Sequence, residues 1–398
     1  MKPSRMTELA GRARAASRSL RTMGSRDKNV VLRAMAGSLR EHRYSIETAN
    51  EHDRRADLPA PKKERLRVHV DAIAESLEAI AKLPDPIGRT VEREPEGEFQ
   101  LKQRRVPLGV ILMIFESRPN VTPEAGALCL KSGNAAILKG GSEARHTNEA
   151  MMRAMEGTFP DSAIQLVSGG HDEIGELLGL EELIDLVIPR GGEELIRAVA
   201  AQSKIPVLKH YRGNCHVYVD AAADLDMAYR VVENAKCQRP ATCNAAEKVL
   251  IHRNVAEKFV PRLADLGVEL RGDEAARGLL DMKLATEEDW PKEYLDLVLG
   301  VKVVASLVDA IDHIEHFGSH HTDAIITEDR AAAERFLEQV DSATVLWNAS
   351  TRLADGGIFG LGAEVGISTD KLHARGPMGL EELTTYKWVV EGQGNLRQ

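Results

Sequence analysis

The chain contains few cysteines, few aromatic residues and no long apolar run. Its 398 residues include only 4 cysteines, aromatic residues make up 4%, and the formal net charge is -9. So few cysteines in so long a chain exclude a disulfide scaffold and favour a reducing compartment. No segment approaches the roughly 20 apolar residues of a membrane span, and an acidic chain suits nucleic-acid phosphates poorly. We therefore expect a cytoplasmic protein that binds neither membranes nor nucleic acids.

Apolar spacing divides the chain into regions of different structure. Residues 6–83 repeat apolar positions at helical spacing, including Leu9, Ala13 and Leu20. The basic N-terminus also resembles an organelle transit peptide, but the unbroken spacing favours a first amphipathic helix. After residue 106, short apolar runs alternate with helical segments, which indicates parallel α/β structure. In a first α/β unit, strands are expected at 109–115, 135–138, 164–167, 183–188 and 205–208. A second α/β unit begins after residue 220, with strands expected at 248–251, 301–306, 324–327 and 343–347.

Residues 88–105 predict a β-hairpin. Two alternating segments, 90–93 and 98–101, flank the turn sequence Glu94-Pro95-Glu96-Gly97. A strand-like segment near the C-terminus, 383–391, is expected to pair with this hairpin. Exposed strands of this kind join subunits by edge pairing, so we expect a homo-oligomer.

The most informative residue is Cys243, in the polar segment Gln238-Arg-Pro-Ala-Thr-Cys-Asn244 just before the strand at 248–251. A thiol at the end of a loop and close to an arginine lies in a setting that favours the nucleophilic thiolate. The alternative is a buried small apolar residue, as free cysteines often are. The polar surroundings favour the nucleophile and predict an enzyme that works through a thioester.

Two patterns that resemble ligand sites are incomplete. The glycines of segment 360–366 approach a dinucleotide fingerprint, but the last spacing is one residue too long. The four histidines between residues 313 and 321 resemble a metal site, yet no carboxylate or cysteine cluster accompanies them in the sequence. We therefore expect no metal cofactor.

Four motifs follow one another as in the aldehyde dehydrogenase superfamily. They are Val106-Pro-Leu-Gly-Val110, Ser117-Arg-Pro-Asn120, Gly133-Asn-Ala-Ala-Ile-Leu-Lys-Gly140 and the Cys243 loop. The longer segments 115–121, 238–245 and 374–381 are similar to the branch of that superfamily that reduces L-glutamyl 5-phosphate. The resemblance extends from near the N-terminus to the last predicted strand.

The resemblance implies an α/β subunit of three parts. A Rossmann-like NADPH-binding domain is expected at 1–87 and 106–225, and an α/β catalytic domain with Cys243 at 226–370. The hairpin 88–105 and the tail 371–398 are expected to form a small β oligomerisation flap.

The implied activity is NADPH-dependent reduction of L-glutamyl 5-phosphate to L-glutamate 5-semialdehyde, with release of phosphate, through a thioester on Cys243. This would be the second step of proline biosynthesis from glutamate, in functional association with glutamate 5-kinase. Two alternatives remain open. One is an aldehyde or acyl-thioester oxidoreductase of the same fold with another substrate, and the other is a non-catalytic scaffold.

The resemblance also implies roles for individual residues. Asn120 would donate its amide to the oxyanion, although a helix-entry residue is the simpler alternative. Lys139 would contact the adenosine ribose and the 2′-phosphate of NADPH, the alternative being a solvated lysine. Gly191 and Gly192 would present backbone amides to the cofactor. Glu293 would bind the nicotinamide ribose.

A small anionic substrate requires cationic groups near the nucleophile. Arg239 and Arg118 are the candidates for the leaving phosphate, and Asn348 and Arg352 for the amino-acid end of the substrate. Hydrolytic members of the superfamily carry a water-activating glutamate in a segment that corresponds here to residues 211–214, Tyr-Arg-Gly-Asn, which contain no carboxylate. This absence favours an acyl phosphate over a free acid.

Overall fold

A computed structural model describes residues 3–55, 58 and 60–397. Its contacts divide the chain into two units. The first unit contains the chain through Lys209, Gly360–Gly366 and the stretch from Met378, and the second contains His210–Phe359 and Ile367–Pro377.

The N-terminal region is helical, as its apolar spacing predicts. It forms α1 (Arg5–Leu20), α2 (Ser25–Glu41), α3 (Arg43–Arg54), α4 (Ala60–Arg65) and α5 (Val70–Lys82). Ser4 caps α1 by accepting a hydrogen bond from the Thr7 amide at 3.1 Å. Leu9, Ala13 and Leu20 lie on its buried face, which confirms the amphipathic helix.

The rest of the first unit begins with β1 (Thr90–Arg93) and β2 (Gln100–Pro107). Parallel β3 (Val110–Phe115), β4 (Ala135–Gly140), β5 (Ile164–Leu166) and β6 (Leu186–Arg190) then alternate with α6 (Val121–Lys131), α7 (Arg145–Met155), α8 (His171–Leu178) and α9 (Glu193–Gln202). These strands form one sheet in the order β5-β4-β3-β6. Every residue of β3 and β4 is buried, as expected for parallel strands covered on both faces.

The strand predicted at 205–208 is wrong. Only Val207 forms a bridge, with Val187, because Pro206 has no amide hydrogen to donate to a ladder. The strand predicted at 183–188 begins three residues later, at Leu186.

The second unit alternates strands and helices throughout. It contains β7 (Cys215–Val219), α10 (Leu225–Cys237), β8 (Ala246–His252), α11 (Arg253–Phe259), β9 (Glu269–Gly272), α12 (Glu274–Arg277), β10 (Lys283–Leu284), β11 (Val298–Val304), α13 (Leu307–Phe317), β12 (Thr322–Ile326), α14 (Arg330–Gln339) and β13 (Thr344–Trp347). The sheet order is β10-β9-β11-β8-β7-β12-β13, and every pairing is parallel. Its core includes the buried residues Val217, Val249, Phe259, Leu299 and Val301.

The second unit starts at His210, earlier than the predicted boundary at 226. The reason is β7, which pairs with β8 and β12 of this sheet and was not predicted. The segment Gly360–Gly366 and the chain from Met378 lie with the first unit, so the predicted limits 226–370 and 371–398 are also displaced.

The predicted flap is present as a sheet. After β14 (Gly366–Ser368) and β15 (Gly376–Met378), β16 (Thr384–Glu391) pairs antiparallel with β2, and β2 pairs antiparallel with β1. The hairpin and its tail strand are therefore confirmed. Among the described residues, no helix has both the length and the apolar character that crossing a membrane would require.

Candidate active site

Cys243 lies in the short segment between α10 and β8. The Thr242 hydroxyl donates to the Arg239 carbonyl oxygen at 2.8 Å, which closes a turn just before Cys243. The side-chain amide of Asn244 donates to the Ala354 carbonyl oxygen at 3.0 Å and anchors the other side of the segment. Cys243 itself is half-buried. It is therefore held by its neighbours while part of its surface stays accessible, as a reactive thiol requires.

Gly213 packs directly against the Cys243 backbone. A Cβ added at Gly213 would lie 1.7 Å from the Cys243 carbonyl oxygen, so only glycine fits. The Gly213 amide donates to Glu293 Oε1 at 2.8 Å. Glu293, predicted to bind the nicotinamide ribose, thus supports the backbone beside the nucleophile, and it brings a carboxylate to segment 211–214.

A buried lysine, Lys248, supports the same segment and was missed by the sequence analysis. Its Nζ donates to Asn214 Oδ1 at 3.0 Å and to the Lys292 carbonyl oxygen at 2.7 Å, and it lies 4.3 Å from the centre of the Tyr294 ring. Burial lowers the pKa of Lys248 to about 7, and the adjacent Glu247 opposes this shift. Lys248 therefore ties the loop before β11 to the start of β7. A lysine at the start of an apolar strand was the only sequence signal.

Arg352 lies against the Cys243 loop. Its Nε donates to Gln238 Oε1 at 3.0 Å, and its Nη1 donates to Asn244 Oδ1. Burial, followed by the charge of Arg239, lowers the pKa of Arg352. Two of the arginines predicted as substrate ligands therefore concentrate positive charge beside the nucleophile. Such a concentration suits an anionic leaving group.

Asn348 has a structural role. Its Oδ1 accepts from the Thr327 amide at 2.9 Å, and its Nδ2 donates to the Thr327 carbonyl oxygen at 3.0 Å. The φ of Asn348 is 55°, a left-handed conformation that asparagine tolerates better than most residues. Both polar atoms of the side chain thus connect the ends of β12 and β13. The substrate contact expected of Asn348 stays a prediction.

Two histidines join the nucleophile in the second unit. The ligand atoms of His210, Cys243 and His321 all lie within 4.8 Å of one another. His321 is buried, and His210 is half-buried. Sequence reasoning considered His321 only together with its sequence neighbours. It missed this group because the three residues are far apart in the chain.

Asn120 and Arg118 belong to the first unit, between β3 and α6. Within the described residues, the Asn120 side chain caps no amide of α6. Its Nδ2 donates instead to Glu124 Oε2 at 2.8 Å. Burial raises the pKa of Glu124. Asn120 thus occupies the N-cap position that the helix-entry alternative expects, while its amide is held by the partly buried Glu124 carboxyl group. Arg118 is exposed.

Lys139 lies near the carboxyl end of β4 and is buried. Its Nζ donates to the Gly140 carbonyl oxygen at 2.7 Å. Burial lowers the pKa of Lys139, while the charges of Glu143 and Glu173 act in the opposite direction. The alternative of a solvated lysine is therefore wrong, and the group is a buried cation at the carboxyl edge of the sheet.

Gly191 and Gly192 follow β6, next to β3, where the strand order reverses. Open α/β sheets bind ligands at such a position. A Cβ at Gly191 would lie 2.4 Å from Glu116 Oε2, and the Gly192 amide donates to the same oxygen at 3.0 Å. The amide predicted to face the cofactor is thus occupied by Glu116, which the sequence analysis missed. A carboxylate is favourable at this helix N-terminus for the same reason that a phosphate is.

The remaining cysteines are poor nucleophiles. Burial raises the pKa of Cys129 to about 12, and it also raises the pKa of Cys215 and Cys237. The thiolate is the reactive form, so these shifts oppose reaction at all three positions. Cys243 is therefore the candidate nucleophile.

The two incomplete motifs lie in different surroundings. Gly360 and Gly362 have φ angles of 76° and 77°, and the segment leads into β14 instead of a helix. His313 is buried against Trp290 and Phe317, with ring centroids 5.4 Å and 4.7 Å away, and so it belongs to the packing of α13.

The fold agrees with comparisons to known proteins. Residues 2–283 match the model of the aldehyde dehydrogenase family. The two parallel α/β units are those of an oxidoreductase of this class.

Closer relatives define the branch. The chain is 49% identical to the gamma-glutamyl phosphate reductase of Geobacter metallireducens, over 98% of each chain, and 48% identical to that of Geotalea daltonii, over 99% of each chain. The crystal structure of gamma-glutamyl phosphate reductase from Thermotoga maritima superposes with a TM-score of 0.97 at 42% identity, covering 99% of this chain and 100% of that one. The chain therefore belongs to the gamma-glutamyl phosphate reductase family, within the aldehyde dehydrogenase family.

Proposed function

We propose that the protein reduces L-glutamyl 5-phosphate to L-glutamate 5-semialdehyde with release of phosphate, using NADPH, as the second step of proline biosynthesis from glutamate. The names of the relatives support the substrate. The observation that carries the mechanism is the Cys243 loop, which is packed against Gly213 and bridged by Arg352.

The first step is nucleophilic. The Cys243 thiolate attacks the acyl carbon, the bond from that carbon to the phosphate oxygen breaks, and phosphate leaves to give a thioester. Arg352 and Arg239 supply positive charge beside this sulfur. The Asn120 amide, oriented by Glu124, is our candidate donor to the oxyanion.

The residues of the first unit fit a nicotinamide dinucleotide. The reversal of strand order between β3 and β6, the glycines before α9 and the buried cation of Lys139 lie at the edge where such sheets bind nucleotides. When bound, NADPH supplies the hydride that reduces the thioester carbon. Lys139 would hold the ribose and the 2′-phosphate, and the Gly191–Gly192 amides would face the phosphates once Glu116 is displaced. Collapse of the resulting thiohemiacetal breaks the carbon–sulfur bond and returns the Cys243 thiolate.

The test is to trap the thioester. Protein mixed with glutamyl phosphate in the absence of nicotinamide is expected to gain one glutamyl group on Cys243, as detected by mass spectrometry of its peptides. The matched Cys243→Ser variant should gain none and should lose turnover, yet it should bind NADPH almost as tightly as wild type. Absence of the adduct from wild-type protein, or wild-type turnover by the variant, would refute the mechanism.

Substrate choice is tested in the reverse direction. Oxidation of glutamate semialdehyde should require phosphate or arsenate, because an oxyanion must release the acyl group from Cys243. Turnover that is independent of both anions would indicate the alternative, an aldehyde or acyl-thioester oxidoreductase with another acceptor.

A further inference from the structure

His210, Cys243 and His321 form a cluster of soft donor atoms in the second unit. The cysteine Sγ and one ring nitrogen from each histidine lie within 4.8 Å of one another. The mechanism proposed above uses only the sulfur. The two imidazoles thus have no assigned part in it.

Hydrogen bonds orient both rings. His210 Nδ1 lies 3.1 Å from the Ile367 carbonyl oxygen, so Nδ1 donates the proton and Nε2 carries the lone pair. His321 Nδ1 lies 2.8 Å from Thr322 Oγ1 and 3.9 Å from Cys215 Sγ. Histidines that bind metals are commonly fixed in this way through the second ring nitrogen.

The donor set favours one class of cation. One thiolate and two imidazoles suit Zn²⁺, whereas Mg²⁺ and Ca²⁺ require oxygen ligands. In a tetrahedral zinc site the sulfur and nitrogen ligands lie about 3.5 Å apart. A closure of about 1 Å would therefore bring these side chains to that geometry, and water or an added anion would complete the coordination.

We propose that His210, Cys243 and His321 bind Zn²⁺ and that this ion reversibly blocks the nucleophile. On binding, the Cys243 thiol releases its proton to solvent and the sulfur lone pair bonds to zinc, with no change in oxidation state. The sulfur is then unavailable to the acyl carbon. The inhibition of turnover by zinc rests on the proposed function, whereas the binding of zinc to these three residues does not.

A second group, His52, Asp53 and His146, is the competing candidate. Its carboxylate already has protein partners. Asp53 Oδ1 lies 2.7 Å from His146 Nδ1, and Oδ2 accepts from the Thr147 amide at 2.8 Å and the Thr147 hydroxyl at 2.6 Å. A cation there would have to replace these bonds, so we use this group as the control.

The test measures zinc directly, without turnover. Reduced protein, free of chelator and thiol buffer, is titrated with ZnCl₂ by calorimetry, and Cys243 alkylation by iodoacetamide is followed by mass spectrometry. We expect one zinc ion per chain at this site and at least tenfold slower alkylation of Cys243. Chelation with EDTA should restore the original rate.

Variants then locate the site. His210→Gln and His321→Gln should each weaken zinc binding at least tenfold, while the double variant His52→Gln/His146→Gln should bind as wild type does. Unchanged affinity in His210→Gln, zinc-independent alkylation of Cys243, or loss of binding in the double variant would each overturn the proposal. Circular dichroism melting checks folding, and if the buried His321 variant does not fold, the half-buried His210 variant decides.

Turnover separates the two proposals. If glutamyl phosphate is reduced, micromolar zinc should inhibit wild type and EDTA should reverse the inhibition. If zinc binds at Cys243 and no glutamyl phosphate is reduced even without zinc, the proposed function fails and the metal site stands.

Discussion

At the residue scale, Arg352 connects Gln238 and Asn244, which lie on opposite sides of Cys243 in the chain. Replacement by methionine should remove both bonds and the charge, and lower kcat/KM about 100-fold, equivalent to about 2.7 kcal/mol. Lysine should restore only part of the loss, because it keeps the charge but not the planar fork of donors. Steady-state kinetics with varied glutamyl phosphate measure this effect.

The control is Arg330→Met. Arg330 is exposed and pairs with Glu334 one turn away on α14, so its removal should leave kinetics and stability nearly unchanged. Equal activity in Arg352→Met and wild type would remove Arg352 from the site.

Asn120 acts together with Glu124. Glu124→Gln should keep an acceptor for the Asn120 amide and stay within about threefold of the wild-type kcat, whereas Glu124→Ala should lose about tenfold. Asn120→Ala alone should lose about 100- to 1,000-fold, the usual effect of removing one oxyanion donor. The Asn120→Ala/Glu124→Ala double variant should lose no more than Asn120→Ala, since the two residues form one unit. Additive losses in kcat would show that Glu124 acts elsewhere.

At the scale of elements, α13 carries a buried histidine that makes the second unit sensitive to acid. Burial, followed by the charge of His216, lowers the pKa of His313 from 6.5 to about 2. Below pH 6.5, His313 is therefore protonated in the unfolded chain but remains neutral in the folded chain. Above that pH, His313 does not reduce the free energy of unfolding. Below it, the free energy of unfolding falls by about 1.4 kcal/mol per pH unit.

His313→Phe should remove the pH dependence that His313 gives to the free energy of unfolding. Between pH 7.5 and 5.5, wild type should lose about 1.4 kcal/mol more unfolding free energy than the variant. Urea unfolding followed by the fluorescence of Trp290 measures it, because Trp290 is buried next to His313 while Trp347 and Trp388 are exposed. His316→Gln, a change at an exposed position on the same helix, is the control. Identical pH dependence in His313→Phe and wild type would refute the assignment.

Element prediction succeeded where each segment has a pattern of its own. The helix Glu193–Gln202 and the hairpin predicted at 88–105 follow from helical spacing and alternation, although the second strand of the hairpin is Gln100–Pro107 instead of 98–101. It failed at β7 and at residues 205–208, because pairing partners distant in the chain and one missing amide decide those segments.

At the scale of the whole molecule, the β1-β2-β16 sheet presents an apolar stripe. Tyr386, Trp388 and Val390 alternate along β16, and each is more than half exposed. Aromatic residues grouped on an exposed strand are typical of a contact surface between subunits. We therefore keep the prediction of a homo-oligomer formed through this flap.

Trp388→Glu should shift the protein towards the monomer. A desolvated glutamate in a subunit contact weakens it by several kcal/mol, and light scattering after size-exclusion chromatography measures the mass. Lys387→Glu places the same charge on the opposite face of β16 and should leave the mass unchanged. An unaltered mass for Trp388→Glu would show that the flap does not join subunits.

The sequence by itself determined most of the helices and strands, the flap pairing and the identity of the candidate nucleophile. These depend on local periodicity and on residue chemistry at one position. Only the tertiary structure placed Arg352, Gly213 and Glu293 around Cys243, bonded Asn348 to Thr327 and brought His210 and His321 to the sulfur. Parallel strands bring together the loops at one edge of a sheet regardless of their separation in the chain, and no local pattern encodes that proximity.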